Sequence, residues 1–105
     1  MSEEMLRRMV DRIAADFHPE RIILFGSHAG GFADMGSDVD LLVVADSVRS
    51  STEEAMAIRR GLRDFPVACD VLVKSRRDFD RYRGVVNHIV YFASRYGKVV
   101  YERGN

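Results

Sequence analysis

The residues of this chain whose types and spacing could do chemistry begin with two aspartates. Asp38 and Asp40 are separated by Val39 and lead into an apolar run at 41–44. Alternation along a strand places both carboxylates on one face, roughly 6.6 Å apart. Carboxylate oxygens are ligands that Mg²⁺ prefers, and Mg²⁺ usually keeps room for water and for substrate phosphates. The pair therefore predicts a site for a divalent cation and a phosphate group.

A Gly-Ser pair supplies the other half of such a site. Gly26 and Ser27 directly follow a compact apolar run at 21–25. Glycine allows the backbone to approach a ligand closely, while a serine hydroxyl and the N–H groups of a helix start can donate to phosphate oxygens. Alone, Gly26 is also compatible with an ordinary turn. Together with the two aspartates, the pair predicts a binding site for nucleotide phosphates.

A third carboxylate, Asp70, is the charged residue inside the apolar run 66–73. Charged side chains are rarely buried without a partner, so this position needs an explanation. On a strand next to the one that carries the first two aspartates, Asp70 would complete a cluster able to hold two cations about 3.5–4 Å apart. The alternative is that Asp70 caps an exposed strand end or pairs with an arginine.

Segments 24–27 and 37–43, with the later strand bearing Asp70, resemble the minimal nucleotidyltransferases of the DNA polymerase beta superfamily. The resemblance extends from the first helix to the closing segment 97–101. Within that superfamily the chain is similar to the antitoxins of HEPN/MNT toxin-antitoxin pairs. The resemblance implies a nucleotidyltransferase fold and transfer of a nucleoside monophosphate.

The resemblance also implies roles for individual residues. The nucleotide would be bound by Gly26 and Ser27, and two Mg²⁺ or Mn²⁺ ions would be bound by Asp38, Asp40 and Asp70, which are also the catalytic residues. The substrate would be ATP, and AMP would be transferred to a tyrosine of a small helical HEPN-type partner. Similar proteins often carry arginine at the positions of His28 and Gly30, so two phosphate-neutralising charges are missing here.

Two other function classes remain open from the sequence. The chain could modify a small-molecule hydroxyl, as in an aminoglycoside, with a second copy closing the acceptor pocket in a homo-oligomer. It could also be a non-catalytic binding module that neutralises its partner by contact. The three aspartates favour an enzyme, whereas the missing arginines favour the binding module.

Composition limits these choices further. The 105 residues, 47% of them hydrophobic, are enough for one core, so a single domain over 1–105 is expected. Sixteen basic and sixteen acidic residues give no net charge, which disfavours bulk nucleic-acid binding. With neither a signal-peptide pattern nor an apolar run of about 18 residues, we expect a cytoplasmic protein without membrane contact.

The elements that must position these residues alternate between helix and strand. Helical periodicity begins after Ser2 and stops before Pro19. Strands are predicted at 21–25, 40–45, 67–73 and 98–101, and helices at 51–64, from 75 and at 85–96, with Gly97 as the cap of the last helix. The predicted fold is α/β (α+β), a small mixed sheet with helices packed against it.

Overall fold

The computed structural model describes residues 2–26 and 38–104. The described elements, in chain order, are α1 (Glu3–Phe17), β1 (Arg21–Phe25), β2 (Val39–Ala45), α2 (Ser51–Gly61), β3 (Cys69–Ser75), α3 (Arg76–Tyr82), α4 (Ile89–Tyr96) and β4 (Lys98–Glu102). The predicted mixture of helices with a small mixed sheet is confirmed.

The first helix illustrates how local sequence sets the boundaries. The Ser2 hydroxyl accepts the backbone N–H of Met5 at 3.1 Å and caps the helix start. At the other end, His18 adopts φ +47°, and Pro19 follows, which cannot continue a helix. The chain then enters β1.

The strands form a sheet in the order β3-β2-β1-β4 among the described residues. Strand β1 pairs antiparallel with β2 and with β4, whereas β2 and β3 are parallel. The register places Asp40 opposite Phe25 on one side and opposite Asp70 on the other. The starts of the two parallel strands therefore meet at one end of the sheet.

One face of this sheet is closed by α1 and α2. Its core contains Met9 and Ile13 from α1, Ile58 from α2, and alternate strand residues such as Leu41 and Val71. The amphipathic helices bury their apolar stripes there, which is the main source of stability for helices in proteins. We call this side the α1/α2 face.

The opposite side, here called the α3/α4 face, has a smaller core. It joins Phe79 of α3 and Val90 of α4 to the strand residues Ile23, Leu42 and Val44. Asp40 and Asp70 belong to this face, because they alternate in phase with residues 42, 44 and 72 of their strands. The carboxylates thus share a face with a core that covers only part of the sheet.

The start of α4 differs from the prediction, which placed it at residue 85. The helix begins at Ile89, after His88, whose Nδ1 accepts the N–H of Val90 at 3.1 Å. Asn87 has φ +72° and breaks helical geometry. The apolar pair Val85 and Val86, which extended the helical pattern in the sequence, instead lies exposed in the preceding turn.

Other predicted boundaries were wrong by smaller margins. Helix α2 ends at Gly61 rather than 64, because Leu62 and the following residues form tight turns. Strand β3 runs from Cys69 to Ser75 rather than 67–73, in step with the residues of β2 that it pairs with. Strands β2 and β4 are each one residue longer than predicted. Gly97 does cap α4, as predicted.

Candidate active site

Asp40 and Asp70 are direct neighbours on the parallel strands β2 and β3. Both project from the α3/α4 face, Asp40 half-buried and Asp70 exposed. Neighbouring strands lie about 4.8 Å apart, so two carboxylates in one register can approach a shared ligand. The structure therefore brings together two of the aspartates that the sequence singles out.

The third aspartate, Asp38, precedes β2 by one residue and is exposed. Between it and Asp40, the side chain of Val39 is fully buried in the core of the α1/α2 face. The Val39 N–H also donates to the carbonyl of Ala68 at 2.8 Å, which ties the start of β2 to the segment before β3. Alternation then directs the residues on either side of Val39 away from the α1/α2 core.

Gly26 lies directly against the Asp40 carboxylate. A Cβ atom at position 26 would overlap Asp40 Oδ2 and lie 3.2 Å from Cγ. The residue also has φ +76°, a conformation that side chains other than glycine adopt only with strain. Position 26 thus requires glycine for two reasons, and it places backbone rather than a side chain beside the carboxylate.

The pKa of the half-buried Cys69 thiol reflects the negative charge at this end of the sheet. Its pKa is raised to about 11, first by burial and then by the negative charges of Asp38, Asp70 and Asp40. A thiol with this pKa is neutral at pH 7. The negative charges of all three aspartates therefore reach this one thiol.

The donor set fits a hard divalent cation. Within residues 2–26 and 38–104, no three acidic, histidine or cysteine side chains form a group that could hold a metal ion by themselves. Mg²⁺ does not need such a cage, because it is usually bound by one or two carboxylates together with waters and substrate phosphates. The adjacent Asp40 and Asp70 supply those carboxylates, so the residues suit a cation that binds together with a phosphorylated substrate.

Three positions named from the sequence lie outside the described residues. These are Ser27, expected to bind phosphate, and His28 and Gly30, where related sequences often have arginine. The role of Ser27 stays a prediction.

At the other end of the sheet, carboxylates are paired with arginines. Asp46, just after β2, accepts two hydrogen bonds of 2.9 Å from the guanidinium of Arg103. The hydrogen bond from Arg103 is the main reason that the pKa of Asp46 is below its usual value. Glu20 lies 3.7 Å from Arg76. Carboxylates at this end are thus held by opposite charge.

With this geometry established, comparison with known proteins places the chain in a family. A family model described as the nucleotidyltransferase domain matches residues 6–94, and the chain belongs to this family. No curated protein matches the sequence. A crystal structure of a candidate nucleotidyltransferase from Sulfolobus solfataricus is similar in fold, with a TM-score of 0.66 and 19% sequence identity, over 95% of this chain and 79% of that one.

The family assignment agrees with the resemblance of segments 24–27 and 37–43 and makes nucleotidyl transfer the general activity of this domain class. Membrane insertion finds no support in the described part of the chain, since none of its helices is long and apolar enough to cross a bilayer.

Proposed function

We propose that the chain is a metal-dependent adenylyltransferase, in which an acceptor hydroxyl loses its proton and attacks the α-phosphorus of ATP, so that AMP is transferred to the acceptor oxygen and pyrophosphate leaves. The observation that carries the proposal is the pairing of Asp40 with Asp70 on one face, with the backbone of Gly26 against Asp40. Phosphoryl chemistry is dominated by positioning and charge stabilisation. Backbone that a phosphate can approach, next to two adjacent carboxylates, suits that chemistry.

The position of each residue indicates its role in the proposed reaction. Mg²⁺, or Mn²⁺ in its place, would be held by Asp40 and Asp70 with Asp38 beside them, and would neutralise phosphate charge and lower the pKa of the acceptor hydroxyl. Gly26 places its own backbone directly beside the Asp40 carboxylate, so a triphosphate bound there would meet no side chain at position 26. Asp70 is exposed on the edge strand β3, so an incoming hydroxyl can donate its hydrogen bond to this carboxylate.

The acceptor in this proposal is a tyrosine of a small helical HEPN-type protein, the toxin of a toxin-antitoxin pair. The support is the resemblance described above, together with exposed apolar side chains on α4, such as Phe92 and Tyr96, which a protein partner could cover. Large exposed apolar side chains grouped on one surface are typical of interaction sites.

The proposal is tested by incubating the purified chain with a HEPN-type protein and each nucleoside triphosphate, with and without Mg²⁺. Intact-mass spectrometry should show gains of roughly 329 Da on the partner with ATP and Mg²⁺, as expected for adenylyl transfer. The Asp70→Asn variant should give no gain, while Asp46→Asn, a matched change at the other end of the sheet, should behave as wild type. A mass gain without divalent ions, or with Asp70→Asn, would show that the site is assigned incorrectly.

If the chain neutralises the partner without any mass gain, and Asp70→Asn neutralises it equally well, the function is that of a binding module. If the partner is unmodified but a small hydroxylated compound gains AMP, the reaction stands and the acceptor class is wrong.

A further inference from the structure

Strand β3 is an edge of the sheet. Within the described part of the chain it forms its ladder with β2 alone, in a register that runs without a shift from Cys69 to Ser75. The outer side of an edge strand presents backbone N–H and C=O groups that can pair with a strand of another chain. Beside this edge, a groove of about 210 Å³ lies between residues 71–74 and the α2 residues Ala55 and Arg59. A second strand added to β3 would cover this groove.

The sequence of β3 is self-complementary about Leu72. Residues 70–74 read Asp-Val-Leu-Val-Lys. If two copies pair antiparallel with Leu72 opposite Leu72, then Asp70 of each copy lies opposite Lys74 of the other. Side chains that are directly opposite point to the same face and have Cβ atoms about 4.5–5.5 Å apart. A two-fold axis through Leu72 therefore creates two attractive charge pairs.

Both members of this charge pair are free to make it. Among residues 2–26 and 38–104, neither Asp70 nor Lys74 takes part in an ion pair. Charged residues on an edge strand can also serve to prevent pairing, and charges of one sign do so by repulsion. On β3 the two mirrored positions carry opposite signs. These charges favour one register of self-pairing rather than preventing it.

The other edge of the sheet, β4, is less suited to pairing. It also carries opposite charges at mirrored positions, Lys98 and Glu102. Glu102, however, lies 3.6 Å from Arg21 of its own chain. The register of β4 on β1 also shifts between residues 22 and 23, and such irregularities bend an edge strand and hinder further pairing. Among the described strands, β3 is therefore the edge that fits a second copy.

We propose that two copies of this chain pair antiparallel along β3, centred on Leu72, and that Lys74 of the second copy lies beside Asp70 at the candidate site. Because the charge pair is exposed to solvent, it should affect association more than the stability of each chain. The dimer itself is independent of the proposed function. Only the role of Lys74 in transfer rests on that function.

The second copy would supply a positive charge that each chain lacks at its own site. His28 and Gly30 stand where similar proteins often have arginine. A lysine ammonium binds phosphate as a point charge. Asp70 and Lys74 alternate in phase with residue 72, so both lie on the α3/α4 face, to which Asp40 also belongs. Lys74 of the second copy would therefore lie on the same face as the carboxylates, and we expect it to neutralise phosphate charge there.

Association is measured first, by sedimentation over a range of protein concentrations without nucleotide or metal. Lys74→Asp and Asp70→Lys should each weaken the dimer at least about tenfold, because two attractive pairs become two repulsive ones. The double variant Asp70→Lys/Lys74→Asp should restore the wild-type Kd to within about threefold, since the attraction returns with its signs exchanged. Lys98→Asp is the matched control on β4 and should leave the dimer unchanged.

The register is tested by a cross-link. Leu72→Cys in a Cys69→Ser background should form an intermolecular disulfide on mild oxidation, because opposite Cα atoms of antiparallel strands lie within disulfide range. Wild type is the control, since Cys69 is its single cysteine and would lie opposite Ser75, about 20 Å along the strands from Cys69 of the other copy. It should therefore not cross-link.

Mixing the two single variants tests whether Lys74 contributes to the site. Each variant alone should transfer AMP to the HEPN-type protein at least about tenfold more slowly than wild type, because one lacks the lysine of its neighbour and the other lacks Asp70. In their heterodimer, Asp70 of one chain faces Lys74 of the other, and the two substituted residues face each other with opposite charges. The mixture should recover about half the wild-type rate, since one of its two sites is intact.

Several results would overturn the dimer. They are a wild type that stays monomeric up to about 1 mM, a Lys98→Asp variant that dissociates as readily as Lys74→Asp, a double variant that does not reassociate, and a Leu72→Cys variant that does not cross-link. A mixture that associates while even wild type transfers no AMP would leave the dimer in place and count against the proposed function. Normal transfer by Lys74→Asp alone would leave the reaction in place and remove Lys74 from the site.

Discussion

The carboxylates at the two ends of the sheet have neighbours of different charge. At the end where β2 and β3 begin, Asp40 and Asp70 are neighbours of the same charge, and Asp38 adds a third negative charge nearby. At the end where β2 finishes, Asp46 is bound by Arg103 through two hydrogen bonds, and the pKa of Asp46 is lowered by that contact. The first arrangement thus lies at the start of β2 and the second just beyond its end.

This difference in surroundings allows effects on stability to be distinguished from effects on function. Neighbouring like charges repel, so the approach of Asp70 to Asp40 is by itself unfavourable, and a cation bound between them would relieve that repulsion. A carboxylate that accepts hydrogen bonds from arginine needs no ligand. Removing each charge in turn should therefore distinguish carboxylates that stabilise the fold from those that we propose for the reaction.

The largest expected effect is on catalysis. Asp70→Asn keeps the shape of the side chain but removes its charge, so adenylyl transfer should fall at least about a hundredfold. The unfolding midpoint of the ligand-free protein should stay the same or rise, because repulsion with Asp40 is relieved. Asp46→Asn should do the reverse, with normal transfer and a slightly lower midpoint. Transfer rates and denaturant melts on both variants check the contrast, and a marked loss of stability in Asp70→Asn would reveal a structural ion pair instead.

The second effect is stabilisation by ligand. ATP and Mg²⁺ together should stabilise the folded protein by about 2.7 kcal/mol when the complex is at a hundred times its Kd, because a ligand that binds only the folded state shifts the equilibrium by mass action. Each component alone should do much less. Thermal melts of wild type and Asp70→Asn measure the effect, which Asp70→Asn should largely lose. Equal stabilisation by ATP with and without divalent ions would contradict a carboxylate-held cation.

The third effect concerns the turn beside the carboxylates. Gly26→Ala would force a side chain into φ +76° and into contact with Asp40, and should destabilise the fold by about 1–3 kcal/mol. Gly61→Ala is the matched control, because Gly61 ends α2 and an added Cβ there comes no closer than 4.0 Å to Asp16. That change should be neutral or stabilising by up to about 1 kcal/mol. If Gly26→Ala left stability unchanged, position 26 would not be packed against the Asp40 carboxylate.

Much of the fold could be predicted from the sequence, because caps and periodicity act locally. Ser2 starts α1 and Pro19 follows its end, and the apolar run 21–25 becomes β1 with the predicted bounds. The start of α4 could not be predicted, since an apolar pair at 85–86 mimics a helical stripe and histidine is an unusual cap. Asn87 is the deciding residue: it is exposed and has a positive φ, a conformation that asparagine adopts more readily than most residues.

The candidate site could likewise be predicted only in part. The spacing of Asp38 and Asp40 in front of an apolar run was enough to predict that both lie near the start of a strand. That Asp70 would lie next to Asp40 required the parallel pairing of β2 with β3, which is a long-range property. The contact of Gly26 with Asp40 depends on the same kind of long-range register, here between β1 and β2.

The smallest expected effect is the pH dependence of the stability that the Asp46–Arg103 pair contributes. Because the hydrogen bond from Arg103 lowers the pKa of Asp46 below its usual value, the ionised carboxylate is favoured in the folded state. Its contribution to stability is therefore fully present above the unfolded pKa and is lost as the pH falls through the folded pKa. The difference in denaturant midpoint between wild type and Asp46→Asn should stay constant from pH 7 to about pH 5 and shrink below about pH 4. It should also shrink at pH 7 when salt is raised to about 1 M, since the pair is exposed to solvent and is screened. A difference that stayed undiminished below about pH 4 would mean that the contribution of Asp46 does not depend on its charge.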